Sequence, residues 1–470
     1  MINIAIIDCS ETKIFKYFLE SRHFNVVACV VFYEEDKQYC CEMGVKYALT
    51  LEEADFIQQM DSFSFDLINT YRHTQRKVEF GMMRALNSNM LIANKYYNAL
   101  CWWDHIFSSH TIDCVFVDGI PHGYIPETIL LDMATHNKIP TYCTFPITPT
   151  YSSLMRFDLR KNISVSHPIN SNDITNHLFY TKKDWCSNEV ISNILSHKKW
   201  KIFVHKWGGA IALDILSAIR HPRLTIHMGF YKNMRLVEKI YSFYRLKEMK
   251  KFYTKHAVDI DKHQKYVFYA AHFEPEAGTS VIVDLQNQLS VIQILSHSLP
   301  KGWKLYVKEH PHQYDINNVR EHFFLINFQY FKDKSFYEEI LKYDNVVLIK
   351  ANVTSQQLLR YAQAVATING SIILESVNNA KPCITFDNGI MPITQSNLFD
   401  NIHIFSDIPR LQSFLESIDK HQFTFSVPNN ALYKKLTRFY FYNSEPKVIL
   451  ESIMADMQSN GNNQLQGKLL

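Results

Sequence analysis

Short apolar runs, each closed by polar residues and followed by a segment of helical periodicity, recur along the chain. This alternation constrains the fold more than any other feature, because strand, helix and strand in that order build a parallel sheet with right-handed crossovers. The first half opens with INIAIID (2–8), continues through SETKIFKYFLESR with Ile14, Phe15, Phe18 and Leu19 at helical spacing, and reaches NVVACVVF (25–32). DLINTY (66–71) and MLIANKY (90–96) extend the pattern around a helix expected from about Thr74 to Leu86. CVFVDGIPHGYIPETILLDMATHNKIPTYCTF (114–145) then reads as strand, polar loop, helix and strand. Ile129, Leu130, Met133 and Ala134 make its helix face, and Glu127 sits in the first turn, where a carboxylate suits the helix dipole.

The rhythm stops near 147 and returns from 266 to about 405. YVFYAAH is a strand, and a helix from Val283 carries Leu285, Leu289, Ile292 and Leu299 on one face. KLYVKEHP and VVLIK (346–350) are strands, SQQLLRYAQ (355–363) a helix, and AVATING, SIILESVNNAKP and CITFD (383–387) complete the set. At 470 residues the chain exceeds the roughly 250–300 that one core serves. The expected architecture is α/β of the GT-B type, two Rossmann-like domains facing a central crevice. Its divisions are 1–146 for an N-terminal acceptor domain, 147–260 for a helical connector and the end of the first domain, and 261–410 for a C-terminal nucleotide-sugar domain. Helices packing back (411–458) and a disordered tail (459–470) follow.

Charge narrows the function. The 49 Lys and Arg against 46 Asp and Glu leave +3, which argues against a dedicated nucleic-acid binder. Basic runs at HKKWK (197–201) and RLKEMKKFYTKH (245–256) are solvated helix faces, or places where a membrane surface or anionic glycan binds. Met1 leads straight into a strand, and no window holds the 18 or so uncharged apolar residues of a spanning helix. The expectation is a cytoplasmic protein, with room for peripheral contact at the inner face of the inner membrane. Nine cysteines without a CxxC pair fit buried thiols in a reducing compartment, and neither a metal nor a cofactor is expected.

Open α/β sheets bind ligands at the C-terminal ends of their strands. No GxGxxG follows the first strand, which argues against a dinucleotide site in that half. Asp118, Gly119 and His122 lie on the loop after the 114–118 strand, where Gly119 and Pro121 also satisfy a turn. In the second half Gly278, Thr279 and Ser280 follow one strand, and Asn369, Gly370 and Ser371 follow another. Small hydroxyl residues there either cap a helix or hold a phosphate. Between them Lys308, Glu309 and His310 close an apolar strand, and Pro311 stops it. Glu274 and Glu276 flank Pro275, so at least one should face the crevice as nucleophile, base or ribose ligand. Glu375 lies one helical turn after Ser371, placed for ribose hydroxyls or for the surface. Three such junctions in one crevice predict a nucleotide-sugar transferase.

From 266 to about 387 the chain resembles the capsule and surface polysaccharide biosynthesis proteins that include the bacterial Kdo transferases. The resemblance is carried by YVFYAAHFEPEAGTS, Gln288, LPKGWKLYVKEHP, INGSIILES and AKPCITF, and more loosely by IPHG (120–123). It implies a GT-B fold and a CMP-activated donor of a 3-deoxy-ulosonic acid such as Kdo, or of a nonulosonic acid of the sialic or pseudaminic type. The implied acceptor is a glycan or glycolipid of a bacterial capsule or lipopolysaccharide. His310 and Pro311 are similar to the CMP-binding motif shared with bacterial GT-B sialyltransferases, and Gly370, Ser371 and Glu375 to the accompanying nucleotide segment. Where family members read GxxGxEA and GKP, this chain has GSIILES and AKP. Asp118 and Gly119 resemble the acidic-Gly motif that carries the base in those sialyltransferases. Asp118 or His122 would be the base under inversion and Glu276 the nucleophile under retention, with Lys308 and the 277–280 loop offsetting phosphate charge. The alternatives are a non-hydrolysing UDP-sugar epimerase, a polymer transferase using CDP-glycerol or a UDP-sugar, and a non-catalytic capsule-assembly partner.

Overall fold

The structure is a computed structural model that describes residues 1–9, 12–54, 57–84, 88–119, 125–146, 151–157, 163–165, 236–280, 285, 287–314, 331–386, 392–395, 399–422, 439–442 and 446–466. Its strands are β1 (Ile2–Asp8), β2 (Phe24–Val31), β3 (Tyr47–Thr50), β4 (Cys114–Asp118), β5 (Thr141–Pro146), β6 (Tyr151–Phe157) and β7 (Ile163–Val165). A second series comprises β8 (Tyr266–Ala270), β9 (Lys304–Lys308), β10 (Val346–Ile349), β11 (Ala364–Thr367), β12 (Cys383–Thr385) and β13 (Ile402–Ile404), and β14 (Tyr440–Tyr442) comes last.

The first sheet runs β14-β6-β5-β4-β1-β2-β3, with β7 also on β6. Its β3-β2-β1-β4-β5 portion is parallel, and β6 pairs antiparallel with β5, β7 and β14. The second sheet is parallel throughout, in the order β10-β9-β8-β11-β12-β13. Counting from β8, that is strand order 3-2-1-4-5-6, the doubly wound arrangement of nucleotide-binding folds. Both orders reverse direction once, between β1 and β4 in one sheet and between β8 and β11 in the other. The fold is α/β with two Rossmann-like sheets, a GT-B-like plan.

The central strands are buried on both faces, as helix-covered parallel sheets require. Ile4, Ala5, Ile6 and Ile7 of β1 and Cys114, Val115, Phe116 and Val117 of β4 are all in the core. Trp103, on the helix Asn89–Ser109, donates its indole N–H to the Pro126 carbonyl at 3.1 Å, pinning that helix to Ile125–His136. Between the units Phe80 stacks edge-on against Phe331 at 5.2 Å. The helix Pro446–Gln466 returns to the first unit, where Asp456 accepts from Tyr142 at 2.8 Å and pairs with Arg156 at 2.9 Å.

Several expectations change. DLINTY is helical within Phe65–Thr70, because Ser64 caps it by accepting from the Leu67 N–H. MLIANKY begins the 21-residue helix Asn89–Ser109, capped by Ser88. The helix expected from Val283 starts at Gln288, capped by Asn287, and residues 277–280 form a separate short helix, Ala277–Ser280. The stretch read as tail continues the last helix to Gln466. The basic run 197–201 and the loop 120–124 lie outside the described residues. Among those described, no helix is long and apolar enough to cross a membrane.

Candidate functional site at the second switch point

The chain leaves β8 through His272, Phe273, Glu274, Pro275 and Glu276, with a cis bond between Glu274 and Pro275. Two buried glutamines hold this exit in place of a regular ladder. Gln288 accepts from the His272 N–H at 2.9 Å and donates to the Glu274 carboxylate at 2.6 Å and the His272 carbonyl at 3.2 Å. Gln313 accepts from the Glu274 N–H at 2.8 Å and returns a donor to its carbonyl at 2.9 Å. Gln313 belongs to the 3-10 turn Pro311–Tyr314, so Pro311 both ends β9 and starts the turn that fixes the neighbouring loop.

Across the switch point, Thr367 at the end of β11 meets the His272 imidazole, Oγ1 to Nε2, at 2.9 Å. The same hydroxyl accepts from the Gly370 N–H at 3.2 Å, and the Asn369 N–H points at Nε2 at 3.5 Å. The Asn369 N–H directed at Nε2 calls for an acceptor there, so Thr367 gives its proton to Nε2 and the imidazole hydrogen is assigned to Nδ1. Nδ1 faces the Glu276 carboxylate at 4.0 Å. Burial, reinforced by the Lys332 cation, lowers the His272 pKa to about 3, so the ring stays neutral. The Glu276 side chain is 52% exposed. Desolvation by the surrounding protein raises its pKa to about 7, opposed by the charge of Arg84 from the first unit. A carboxylate held against protein loses part of its hydration while still open to water, and that partial loss favours the protonated form.

Gly370 is required by space. A Cβ there would lie 2.8 Å from the Thr367 hydroxyl and 3.4 Å from the His272 ring. Asn369 reaches across to donate to the Gly278 carbonyl at 2.8 Å, tying the β11 loop to the β8 loop. Thr279 is buried, its hydroxyl on the Glu276 carbonyl at 3.2 Å. Ser371 precedes the helix Ile372–Asn378 without capping it by its side chain. Ser280 closes the short helix.

Lys308, Glu309, His310 and Pro311 take different environments. Glu309 is buried and accepts from Lys332 at 2.9 Å, from the His310 N–H at 2.7 Å and from the Tyr337 hydroxyl. Lys332 also donates to the His272 carbonyl at 3.2 Å, so one ammonium joins the exits of β8 and β9. Lys308 is buried and its charge opposes the rise that burial imposes on the Glu375 pKa. Glu375 accepts from Gln356 at 2.8 Å. His310, half-buried, lies 6.0 Å from the Phe273 ring and borders a cavity of about 280 Å³ lined by Tyr253, Tyr314, Ala257 and Pro311, with Lys250 and Asn352.

Glu274, Glu276, Gly278, Thr279, Gln288, Asn369 and Gly370 thus gather at the β8/β11 switch point, and Lys332 links them to Glu309 and His310. Asp118 belongs to the other sheet's switch point, paired in register with Asp8 and held by Thr12 at 2.9 Å and by Thr144. His122 lies outside the described residues. His272, Thr367, Lys332 and Arg84 were not singled out from the sequence. His272 stands two residues past β8 and two before a Glu-Pro pair, a signal that was legible; the others owe their place to contacts distant along the chain.

No family model and no curated protein matches this chain. Several solved structures are similar to it at low identity. The beta Kdo 2,7 transferase of Thermosulfurimonas dismutans KpsC is 9% identical, over 94% of this chain and 92% of that one, at a TM-score of 0.33. The UDP-GlcNAc 2-epimerase of Neisseria meningitidis bound to UDP-GlcNAc is 10% identical over 97% and 100%, at 0.23. That of Methanocaldococcus jannaschii is 12% identical over 93% and 99%, at 0.26. At these scores the likenesses carry no argument about activity.

Proposed function

We propose that the chain is a glycosyltransferase that moves a 3-deoxy-ulosonic or nonulosonic acid from a CMP-activated donor to a glycan or glycolipid of the bacterial surface. The observation that carries this reading is the constellation at the β8/β11 switch point. There a solvent-open Glu276, its pKa raised to about 7, lies 4.0 Å from Nδ1 of a neutral His272 held by Thr367. In the proposed step the acceptor hydroxyl oxygen bonds to the anomeric carbon while the bond from that carbon to the CMP phosphate breaks. CMP leaves with the bonding pair, and the hydroxyl proton passes to Glu276. A base with a pKa near the working pH is suited to this transfer. The nucleotide is assigned to the wall formed by His310 and Pro311 and the aromatic cavity beside them, with Gly370, Ser371 and Glu375 on the ribose and phosphate side.

The same pair of groups also supports a second reading, a UDP-sugar epimerase, in which Glu276 takes a proton from a sugar carbon. A thermal-shift panel separates the two: CMP should stabilise the protein and UDP should not. His310→Ala should abolish the CMP shift while leaving the unliganded melting point in place. Glu276→Gln should keep the CMP shift and lower kcat by about 10²–10⁴-fold. Stabilisation by UDP alone, with a new sugar formed in the absence of any acceptor, establishes the epimerase reading instead.

A further inference from the structure

The helix Leu236–His256 is two-faced. Leu246, Met249 and Tyr253, at three- and four-residue spacing, are buried against the second unit. The opposite face carries Tyr241 and Tyr244, 53% and 63% exposed, and then Lys247, Lys251 and Lys255, all exposed. Each lies three or four residues after the last, which makes one stripe roughly 21 Å long at 1.5 Å per residue.

The neighbouring charges are accounted for. Arg245 is taken by Glu248 and Asp333, each at 3.0 Å, and Lys334 by Glu338 at 2.8 Å. Lys247, Lys251 and Lys255 form no ion pair among the described residues. They stand as two like-charged pairs at i,i+4, a register that disfavours a helix in isolation and that an anionic partner relieves. Two exposed tyrosines continue the stripe, and tyrosine settles where an apolar body and a polar tip both find a partner, at the headgroup level of a bilayer. The Arg245 guanidinium lies over the Tyr241 ring at 5.9 Å, yet both tyrosines stay more than half exposed, and a soluble polyanion would engage the lysines without covering that apolar surface.

We propose that this face of the helix docks on an anionic lipid surface, the three ammonium groups on headgroup phosphates and the two tyrosines in the headgroup layer. Lys250 and Thr254 of the same helix line the cavity beside His310, so docking brings that cavity to the bilayer. The inference rests on the helix alone and stands whichever sugar chemistry the cleft performs.

The test is co-sedimentation of the full chain with phosphatidylcholine vesicles, with and without about one third phosphatidylglycerol. Binding is expected only with phosphatidylglycerol, and it should weaken as salt shortens the range of the attraction. Replacing Lys247, Lys251 and Lys255 together by Gln should weaken binding about a hundredfold, roughly fivefold per lysine, with the melting point unchanged. The pair Tyr241→Ala and Tyr244→Ala should also weaken it, most visibly at high salt where the rings carry more of the attachment. Equal sedimentation of wild type and the triple variant overturns the proposal. So does capture by dextran sulfate with no retention on anionic vesicles.

Discussion

Lys332→Met is the most informative perturbation of this fold. Lys332 and Glu309 are 0% and 2% exposed and lie 2.9 Å apart. Replacing the ammonium by an apolar chain of similar length leaves the Glu309 carboxylate buried, with the His310 N–H and the Tyr337 hydroxyl as its remaining donors. Stranding one partner of a buried pair costs about 3–5 kcal/mol. The variant also loses the 3.2 Å bond to the His272 carbonyl and the contact of the ammonium with the Phe336 ring at 4.9 Å. Glu309→Gln is expected to cost about as much, since it strands the buried Lys332 ammonium and turns an NH₂ toward the His310 N–H or the Tyr337 hydroxyl. The double variant removes both charges, and its cost should fall well below the sum of the single costs, leaving a coupling of about 2 kcal/mol or more. Urea unfolding of the four proteins at neutral pH measures this cycle. A single cost below about 1 kcal/mol for Lys332→Met, or strict additivity, refutes the view that the pair is a closed buried unit joining the exits of β8 and β9.

Glu274 predicts a pH dependence of defined sign. Burial raises its pKa from 4.5 to about 7, so the native state holds this proton more tightly than the unfolded chain. The burden is absent below pH about 4.5 and grows to about 3 kcal/mol as pH rises through 7; melting of Glu274→Gln should therefore equal wild type near pH 4.5 and exceed it at pH 8. Gly370→Ala should cost about 1–3 kcal/mol by driving a methyl into the Thr367 hydroxyl, and adding Thr367→Ala should recover part of that loss in the same unfolding assay. Trp103→Phe keeps the buried ring but removes the indole donor to the Pro126 carbonyl, and a loss of about 1–3 kcal/mol is expected from chemical denaturation.

The sequence made the second sheet legible because β8, β9, β10 and β11 are apolar runs with polar exits, and helix-covered parallel strands have no other way to read. It was less clear where helix and strand share a pattern. MLIANKY is apolar enough for a strand, and only its continuation through Trp102, Trp103 and Ile106 marks the long helix. β3, YALT, and β13, IHI, are too short to carry a period, and β14 finds its partner β6 almost 290 positions away in register. At the site, Glu276 and Gly370 announced themselves by a flanking proline and a small-residue loop. Thr367 and Lys332 did not, since a threonine ending a strand and a lysine just ahead of the helix Lys334–Ile340 look like any others until His272 and Glu309 are seen beside them. The motif Lys308, Glu309, His310 and Pro311 changed in meaning too. Its glutamate is an internal strut tied to Lys332 and Tyr337, while His310 and Pro311 border the open cavity.

The far edge of β6 is covered in two pieces. Leu154, Met155 and Arg156 pair with β7, which follows within a few residues, while Tyr151, Ser152 and Ser153 pair with β14. A ribosome delivers β7 at once and β14 only after the whole second sheet, β8 to β13, has been made. The second unit therefore has all its strands while the first still lacks one, and residues 151–153 wait through that interval as an exposed backbone edge of the kind that recruits stray strands. Arrival of residues 440–442, secured by Asp456 on Tyr142 and Arg156, seals the edge and finishes the older domain last.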